Sequence, residues 1–234
     1  MTKKDNNFKG FNPEIYKFFK KLEKNNNKEW FDKNREFYIN EIREPIKAFA
    51  CDMTNYLYSK GLEFGSNPRK SVFRINRDIR FSKNKDPYKN NLGVIFPYTA
   101  TQNTEKKDQS IGLYVHYERD NSFIAGGLRC PNPAPLKAIR ERLLYDWKEF
   151  EKIITNKTFK KEYPKILPGE SLKKQPRGFP KEHPADKYLK LKDFTVWCEI
   201  DHNEFYSRNL MNLLVKKAKV IEPFVKFLLE AVED

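Results

Sequence analysis

Residues 73–81 read Phe-Arg-Ile-Asn-Arg-Asp-Ile-Arg-Phe, and residues 82–89 continue as Ser-Lys-Asn-Lys-Asp-Pro-Tyr-Lys. Counted with a period of two, the apolar residues of the first stretch fall on one side, together with Arg77, and the polar and charged residues fall on the other. This pattern predicts a half-buried strand with a cationic face, followed by a lysine-rich loop. Since guanidinium groups bind phosphate and carboxylate oxygens through paired hydrogen bonds, we expect a site for an anionic ligand here.

The composition is that of a folded, basic protein. The chain has 234 residues, of which 38% are hydrophobic and 15% aromatic, so Phe, Tyr and Trp must supply much of the core. The formal net charge of +14 favours contact with polyanions such as nucleic acid. A solvated surface rich in Lys and Asn is the alternative explanation of this charge.

Three cysteines, Cys51, Cys130 and Cys198, are scattered along the chain without a Cys-x-x-Cys pair. This spacing fits neither a zinc ribbon nor a disulfide framework. We expect each cysteine to be a small buried apolar residue in a reducing compartment. The N-terminus has no apolar run of the signal-peptide type, and no window has the apolar length of a membrane span. The sequence therefore predicts a cytoplasmic protein without a membrane partner.

Periodicity and turn residues divide the chain into helical and extended segments. Helical patterns begin at Asn12-Pro13-Glu14, at Glu29 with a break at Pro45, after Pro131 and at Asn203 with a separation into two helices at Pro223. Short strands are predicted at 91–97, 111–118, 122–130 and 194–200, with polar residues 99–109 as an exposed loop and 163–192 as an irregular, proline-rich passage. Gly126-Gly127 indicates a bulge in its strand, or a close approach of a ligand or another backbone.

The order of these segments predicts one domain of the α+β class. We expect a flexible N-terminus at residues 1–10 and a single α+β domain at 11–234. Its central antiparallel sheet should have about four to six strands, flanked by N-terminal and C-terminal helices.

Four passages together resemble one known family. They are the motif at 73–89, Asn-Asn-Lys-Glu-Trp-Phe at 26–31, Phe-Ile-Ala-Gly-Gly-Leu at 123–128, and Arg-Gly-Phe with His-Pro at 177–184. In these passages the chain resembles a widespread bacterial and fungal family catalogued as a domain of unknown function (number 2461). The resemblance spans nearly the whole chain and implies a common single-domain fold, but it implies no catalytic assignment.

The candidate ligand-binding residues are cations and ring side chains of the motif and of the later irregular segment. They are Arg74, Arg77, Arg80, Lys83, Lys85, Tyr88, Lys89, Arg177, His183 and Lys190. The later residues are expected to close a pocket whose wall is the motif. The alternative is an internal network in which Asp78 and nearby carboxylates neutralise the arginines, with Arg77 as a buried, paired residue.

The candidate catalytic residues are Asp78 and His183, because a carboxylate or an imidazole beside arginines can move a proton. A loop histidine fixed by local hydrogen bonds is the alternative for His183, and His116 ranks below it. The three histidines lack metal-ligand spacing, so no metal site is expected, and no glycine-rich phosphate loop or Gly-x-Ser-x-Gly motif is present.

Three functions are compatible with these residues. The first is binding of a phosphate-containing or other anionic ligand, a nucleotide or nucleic acid, through the Arg/Lys-rich strand and loop. The second is a hydrolase or transferase acting on an anionic substrate, and the third is a basic partner-binding protein with no small-molecule site. No motif identifies a cofactor or an oligomeric state.

Overall fold

Helices precede the sheet in the computed structural model, which describes residues 8–98 and 110–233. They are α1 (Glu14–Lys24), α2 (Lys28–Lys33), α3 (Arg35–Phe37), a π-helical segment (Tyr38–Arg43), α4 (Glu44–Ser59) and α5 (Pro68–Ser71). Pro45 lies in the first turn of α4, directly after the π-helical segment. The predicted break at Pro45 is not found as an interruption, because Arg43 and Glu44 keep helical backbone angles; the helix changes there from π to α.

The sheet has five antiparallel strands, in the order β1-β2-β3-β5-β4. They are β1 (Asn91–Pro97), β2 (Gly112–Glu118), β3 (Phe123–Leu128), β4 (Lys165–Ile166) and β5 (Phe194–Glu199). The strands predicted at 91–97, 111–118, 122–130 and 194–200 are all present. The fold is a single α+β domain, as predicted.

The remaining helices follow β3 and β5. They are α6 (Pro133–Thr155), α7 (Lys157–Glu162), α8 (Asp186–Leu189), a 3-10 helix (His202–Tyr206) and α9 (Leu210–Glu233). The predicted separation at Pro223 is wrong, because Pro223 lies inside the continuous helix α9. Ile221 and Phe224 are fully buried on either side of it, and burial of such side chains can offset the roughly 3 kcal/mol that an interior proline costs.

One face of the sheet forms the core with the helices. Side chains at alternate strand positions, among them Val94, Val115, Ile124 and Val196, are buried in one cluster with residues of α1, α4, α6 and α9. Helix α9 packs on α6 and on β2 and β3. The opposite face carries the other alternate positions and is the more open one.

The strand predicted at 73–81 is wrong. The chain next to β1 forms only isolated bridges, Val72 with Val94 and Asn76 with Tyr88. Four residues lead from Val72 to Asn76, whereas six lead from Tyr88 to Val94. Because the two sides between the bridges differ in length, a regular ladder cannot form. Residues 74–89, here called the basic loop, extend beyond the start of β1, and Phe81 is therefore 95% exposed instead of facing a core.

Gly126 and Gly127 lie in β3 without a bulge, since its register with β2 and β5 is continuous. A Cβ atom on Gly127, whose φ is +110°, would meet the Phe194 carbonyl oxygen at 2.1 Å. The predicted bulge is therefore wrong. The alternative explanation, a close approach of another backbone, is what the structure shows at Gly127.

The flexible N-terminus predicted at 1–10 is only partly within the described residues, because residues 1–7 lie outside them. Phe8 packs with its ring centroid 4.9 Å from that of Phe49, and Gly10 lies against the Tyr206 backbone. Residues 8–10 are therefore held by the fold. The loop predicted at 99–109 lies outside the described residues.

The cysteine prediction is correct for Cys198, which is buried, and wrong for Cys51 and Cys130, which are exposed. No disulfide joins any two of the three. None of the helices in the two described ranges combines the length and the apolar character that crossing a bilayer requires.

Candidate functional site

A groove of about 610 Å³ crosses the open face of the sheet. Side chains of β1, β2, β3 and β5 form its floor, and residues at the ends of the strands, such as Arg129, Gly169 and Asp193, form its walls. A volume of this size is typical of sites for small ligands.

The strand register explains why there is a depression at this place. One row across the sheet reads Ile95, Tyr114, Ala125 and Trp197, so a small residue lies between large ones. The neighbouring row contains Gly112 and Gly127, which have no side chains to fill the space. The floor is therefore lowest at Ala125 and the two glycines.

Aromatic rings line the groove. The Phe123 centroid lies 5.9 Å from that of Tyr114 and 5.5 Å from that of Trp197, and Phe73 packs edge-on against Tyr114 at 5.7 Å. All four rings are partly exposed. Such rings offer stacking surfaces to a planar ligand.

Cations lie at both sides of the groove. Arg129 is exposed and lines the wall. The Lys89 ammonium is 5.8 Å from the Phe73 ring at the β1 side, and the Lys165 ammonium is 5.9 Å from the Trp197 ring at the β4 side. One carboxylate, Asp193, also lines the wall and accepts a hydrogen bond from Thr195 Oγ1 at 2.9 Å.

A hydrogen-bonded row of side chains runs along the open face of β2. The Tyr114 hydroxyl lies 3.0 Å from Nδ1 of His116, and Nε2 of His116 lies 3.3 Å from Oε2 of Glu118. Because a carboxylate can only accept, Nε2 carries the proton, and Nδ1 accepts from the tyrosine. The imidazole is also stacked on Phe123 at 4.4 Å.

Burial sets the protonation states in this row. It lowers the pKa of His116 below its usual range, although the Glu118 carboxylate opposes this effect. Burial also raises the pKa of Tyr114 to about 12. At neutral pH the row therefore contains a neutral imidazole and an intact phenol, which fix the position of Tyr114 in the groove.

Asp78 and Arg80 pair with each other at the tip of the basic loop. Nε and Nη2 of Arg80 donate to the two Asp78 carboxylate oxygens at 3.0 and 2.7 Å. The hydrogen bonds from Arg80 lower the pKa of Asp78 to about 2. Asp78 is thus ionised and engaged at neutral pH, which makes it a poor general base.

The other cations of the basic loop differ in their surroundings. Lys85 Nζ donates to the Ile79 carbonyl at 3.0 Å. Arg74 and Lys83 are exposed and form no ion pair within residues 8–98 and 110–233. Arg77 has a buried Nε without a hydrogen-bond partner in the same ranges, so the paired state expected for it is not found there.

Tyr88 lies in the core and is 6% exposed. Its ring stacks on Phe31 at 4.0 Å, and its backbone N–H and carbonyl bond the Asn26 side chain. This placement makes Tyr88 an anchor for the end of the basic loop, whereas Lys89 lies next to the groove.

Arg177, His183 and Lys190 lie beyond β4, at the edge of the sheet opposite β1. The structure therefore does not bring them to the basic loop. Nδ1 of His183 accepts the Ala185 N–H at 3.1 Å, and Lys190 pairs with Asp186. His183 is thus the locally fixed loop histidine of the alternative explanation.

The groove residues Tyr114, Phe123, Ala125 and Trp197, and His116 next to Tyr114, were not among the predicted site residues. A signal for part of the set was present, because Tyr114, His116 and Glu118 alternate along one strand and must share a face. Within the described ranges, no three or more His, Cys, Asp or Glu residues are grouped to hold a metal ion.

A family model described as "Conserved hypothetical protein (DUF2461)" matches residues 14–227. The chain belongs to this family. The match covers α1 to most of α9, so the groove and the basic loop both lie within the DUF2461 region. No curated protein and no solved structure matches the chain.

Proposed function

We propose that this protein binds a nucleotide or nucleic acid, with a base in the groove and phosphate at its cationic rim. The groove supports this proposal because its floor combines partly exposed aromatic rings with a central depression at Ala125. Bases stack on such rings, and Arg129 and Lys89 offer donors to phosphate oxygens. The basic loop beside the groove adds positive potential that attracts anions.

The experiment is a titration of the protein with ATP and with adenosine, by calorimetry and by the fluorescence of Trp197. We expect ATP to bind, to quench the groove tryptophan, and to bind more tightly than adenosine. Absence of binding by both, or equal binding, would contradict a phosphate-dependent site.

Two matched variant pairs assign the binding to the groove. Ala125→Phe fills the floor and should abolish binding, whereas Ala48→Phe makes the same change at an exposed position of α4 and should not. Arg129→Ala should weaken ATP but not adenosine, and Arg208→Ala is its exposed control. Undiminished ATP binding by Ala125→Phe would place the ligand elsewhere.

A second candidate function is a hydrolase or transferase acting on an anionic substrate. The row of Tyr114, His116 and Glu118 favours it, because neutral His116 can accept a proton and Glu118 can stabilise the resulting imidazolium. The engagement of Nδ1 by Tyr114 makes it the weaker candidate. Turnover of ATP or 4-nitrophenyl phosphate that is lost in His116→Gln would support it.

We also propose a reducing, cytoplasmic location. The support is that Cys51 is an exposed free thiol, which would be open to disulfide exchange in an oxidising compartment. Maleimide labelling of Cys51 in freshly lysed cells tests it, and a blocked thiol would contradict it.

A further inference from the structure

The basic loop presents an aromatic ring to solvent. Phe81 is 95% exposed and Ile79 next to it is 37% exposed, although large apolar side chains are normally covered. The Arg80 guanidinium lies 5.8 Å from the centre of the Phe81 ring. Arg80 is itself oriented by Asp78, so the ring has a cationic neighbour of defined position and still an open surface.

The segment that carries this ring is rich in cations. The basic loop contains six Lys or Arg residues and two Asp residues, and one of these carboxylates is occupied by Arg80. Arg74 and Lys83 form no ion pair with any described carboxylate. An exposed ring in a segment that also carries Arg74 and Lys83 fits a ligand that alternates bases and phosphates.

The basic loop is also continuous with the groove. Phe73, which lines the groove, immediately precedes it, and the paired stretch from Phe73 to Arg77 bonds to Gly93 and Pro87 at its two ends. A fully extended stretch of this length spans at most roughly 13–14 Å. A ligand of several nucleotides is long enough to occupy the groove and reach Phe81 together.

We propose that the basic loop is a second contact for single-stranded nucleic acid, in which Phe81 stacks on a base and Arg74, Arg80 and Lys83 contact phosphates. This inference rests on the proposed function of the groove and specifies its ligand as an oligonucleotide. An anionic membrane is the less favoured partner, because residues 82–86, which follow Phe81, are polar and would not insert into a bilayer.

The test is fluorescence anisotropy with labelled oligothymidylate and oligouridylate of about 12 nucleotides, a length within the range that single-strand-binding folds cover. Phe81→Ala should weaken binding by about 5- to 150-fold, which is the effect of removing the stacking of one base. Tyr145→Ala, which removes a tyrosine that is 83% exposed on α6, is the matched control and should leave affinity unchanged. The oligonucleotide that binds with the higher affinity identifies DNA or RNA as the ligand.

Electrostatics provide an independent readout. Arg74→Ala with Arg80→Ala should weaken oligonucleotide binding and reduce its salt dependence, by about 0.7 in the log–log slope for each phosphate that the variant no longer neutralises. Since both side chains are exposed, the melting temperature should not change. An unfolded double variant with wild-type binding by Phe81→Ala would make the cluster structural and overturn the inference.

The outcomes separate this inference from the proposed function. If ATP binds in the groove but Phe81→Ala binds oligonucleotide like the wild type, the groove stands and the loop contact is refuted. If neither ATP nor oligonucleotide binds the wild type, both fail. Binding to vesicles of phosphatidylcholine and phosphatidylserine that depends on Phe81, without oligonucleotide binding, would replace nucleic acid by a membrane.

Discussion

Replacing Tyr114 by Phe removes one hydroxyl from the groove and keeps the ring. The ring contacts with Phe73 and Phe123 remain, so packing should change little. The variant removes the hydrogen-bond partner of Nδ1 on His116, and His116 is only 8% exposed. A buried acceptor left without a partner costs about 1–3 kcal/mol, and we expect a loss of about 1–2 kcal/mol because the groove admits some water.

The assay is urea unfolding followed by tryptophan fluorescence at about pH 8, where histidine is normally neutral. For a chain of this length, a loss of about 1–2 kcal/mol corresponds to a melting temperature lower by roughly 2–8 °C. Tyr145→Phe removes a hydroxyl from an exposed ring and should change neither value. Equal stability of the two variants would refute the reasoning, because the Tyr114 hydroxyl would then contribute nothing to His116.

The same variant should raise the pKa of His116. In the wild type, protonation of Nδ1 requires the Tyr114 hydroxyl to turn away, whereas in Tyr114→Phe the position is open and the Glu118 carboxylate still stabilises the imidazolium. An NMR titration of the imidazole protons measures this, and an unchanged or lower pKa would contradict the assigned tautomer.

Three further predictions concern stability. Burial lowers the pKa of His116, so the unfolded chain takes up a proton there before the folded chain does as the pH falls below about 6.5. The free energy of unfolding should therefore decrease below this pH. Urea titrations at several pH values measure the decrease, and His116→Gln should make it smaller. Gly127→Ala should cost more than about 1 kcal/mol in the same assay, since φ is positive and the new Cβ would meet the Phe194 carbonyl; a neutral result would mean that β3 can shift. Phe150→Ala should cost about 3–5 kcal/mol, because this fully buried ring packs on Phe194 and Phe224; a loss below about 1 kcal/mol would indicate that the core refills the space.

Local patterns predicted most of the fold. The strands at 91–97 and 194–200 and the amphipathic helix after Pro131 were correct because each pattern is short and matches the burial that the fold provides. The strand predicted at 73–81 was wrong because alternation shows only that a segment can pair. It does not show that a partner strand extends far enough. The separation predicted at Pro223 was wrong because the burial of Ile221 and Phe224 beside it outweighs the tendency of proline to end a helix.

The site was less predictable than the fold. The cations of the basic loop could be recognised because they lie close together along the chain, and their role as a binding site stays a prediction. The groove depends on which residues of separate strands face each other, and nothing in the sequence near Ala125 shows that Tyr114 and Trp197 become its neighbours. His116 was ranked below His183 from its position on the hairpin, opposite the apolar side; its burial and its stacking on Phe123 depend on the assembled sheet.

The interrupted pairing beside β1 shortens the free border of the sheet. Gly65 and Phe73 donate to the carbonyls of Pro97 and Gly93, so part of the outer side of β1 is already occupied, and the opposite border of the sheet is a strand of only two residues. Within the described residues, neither border presents a long template on which a second chain could add by backbone hydrogen bonds. The borders of this aromatic-rich sheet thus have the short, interrupted form by which natural proteins limit edge-to-edge association.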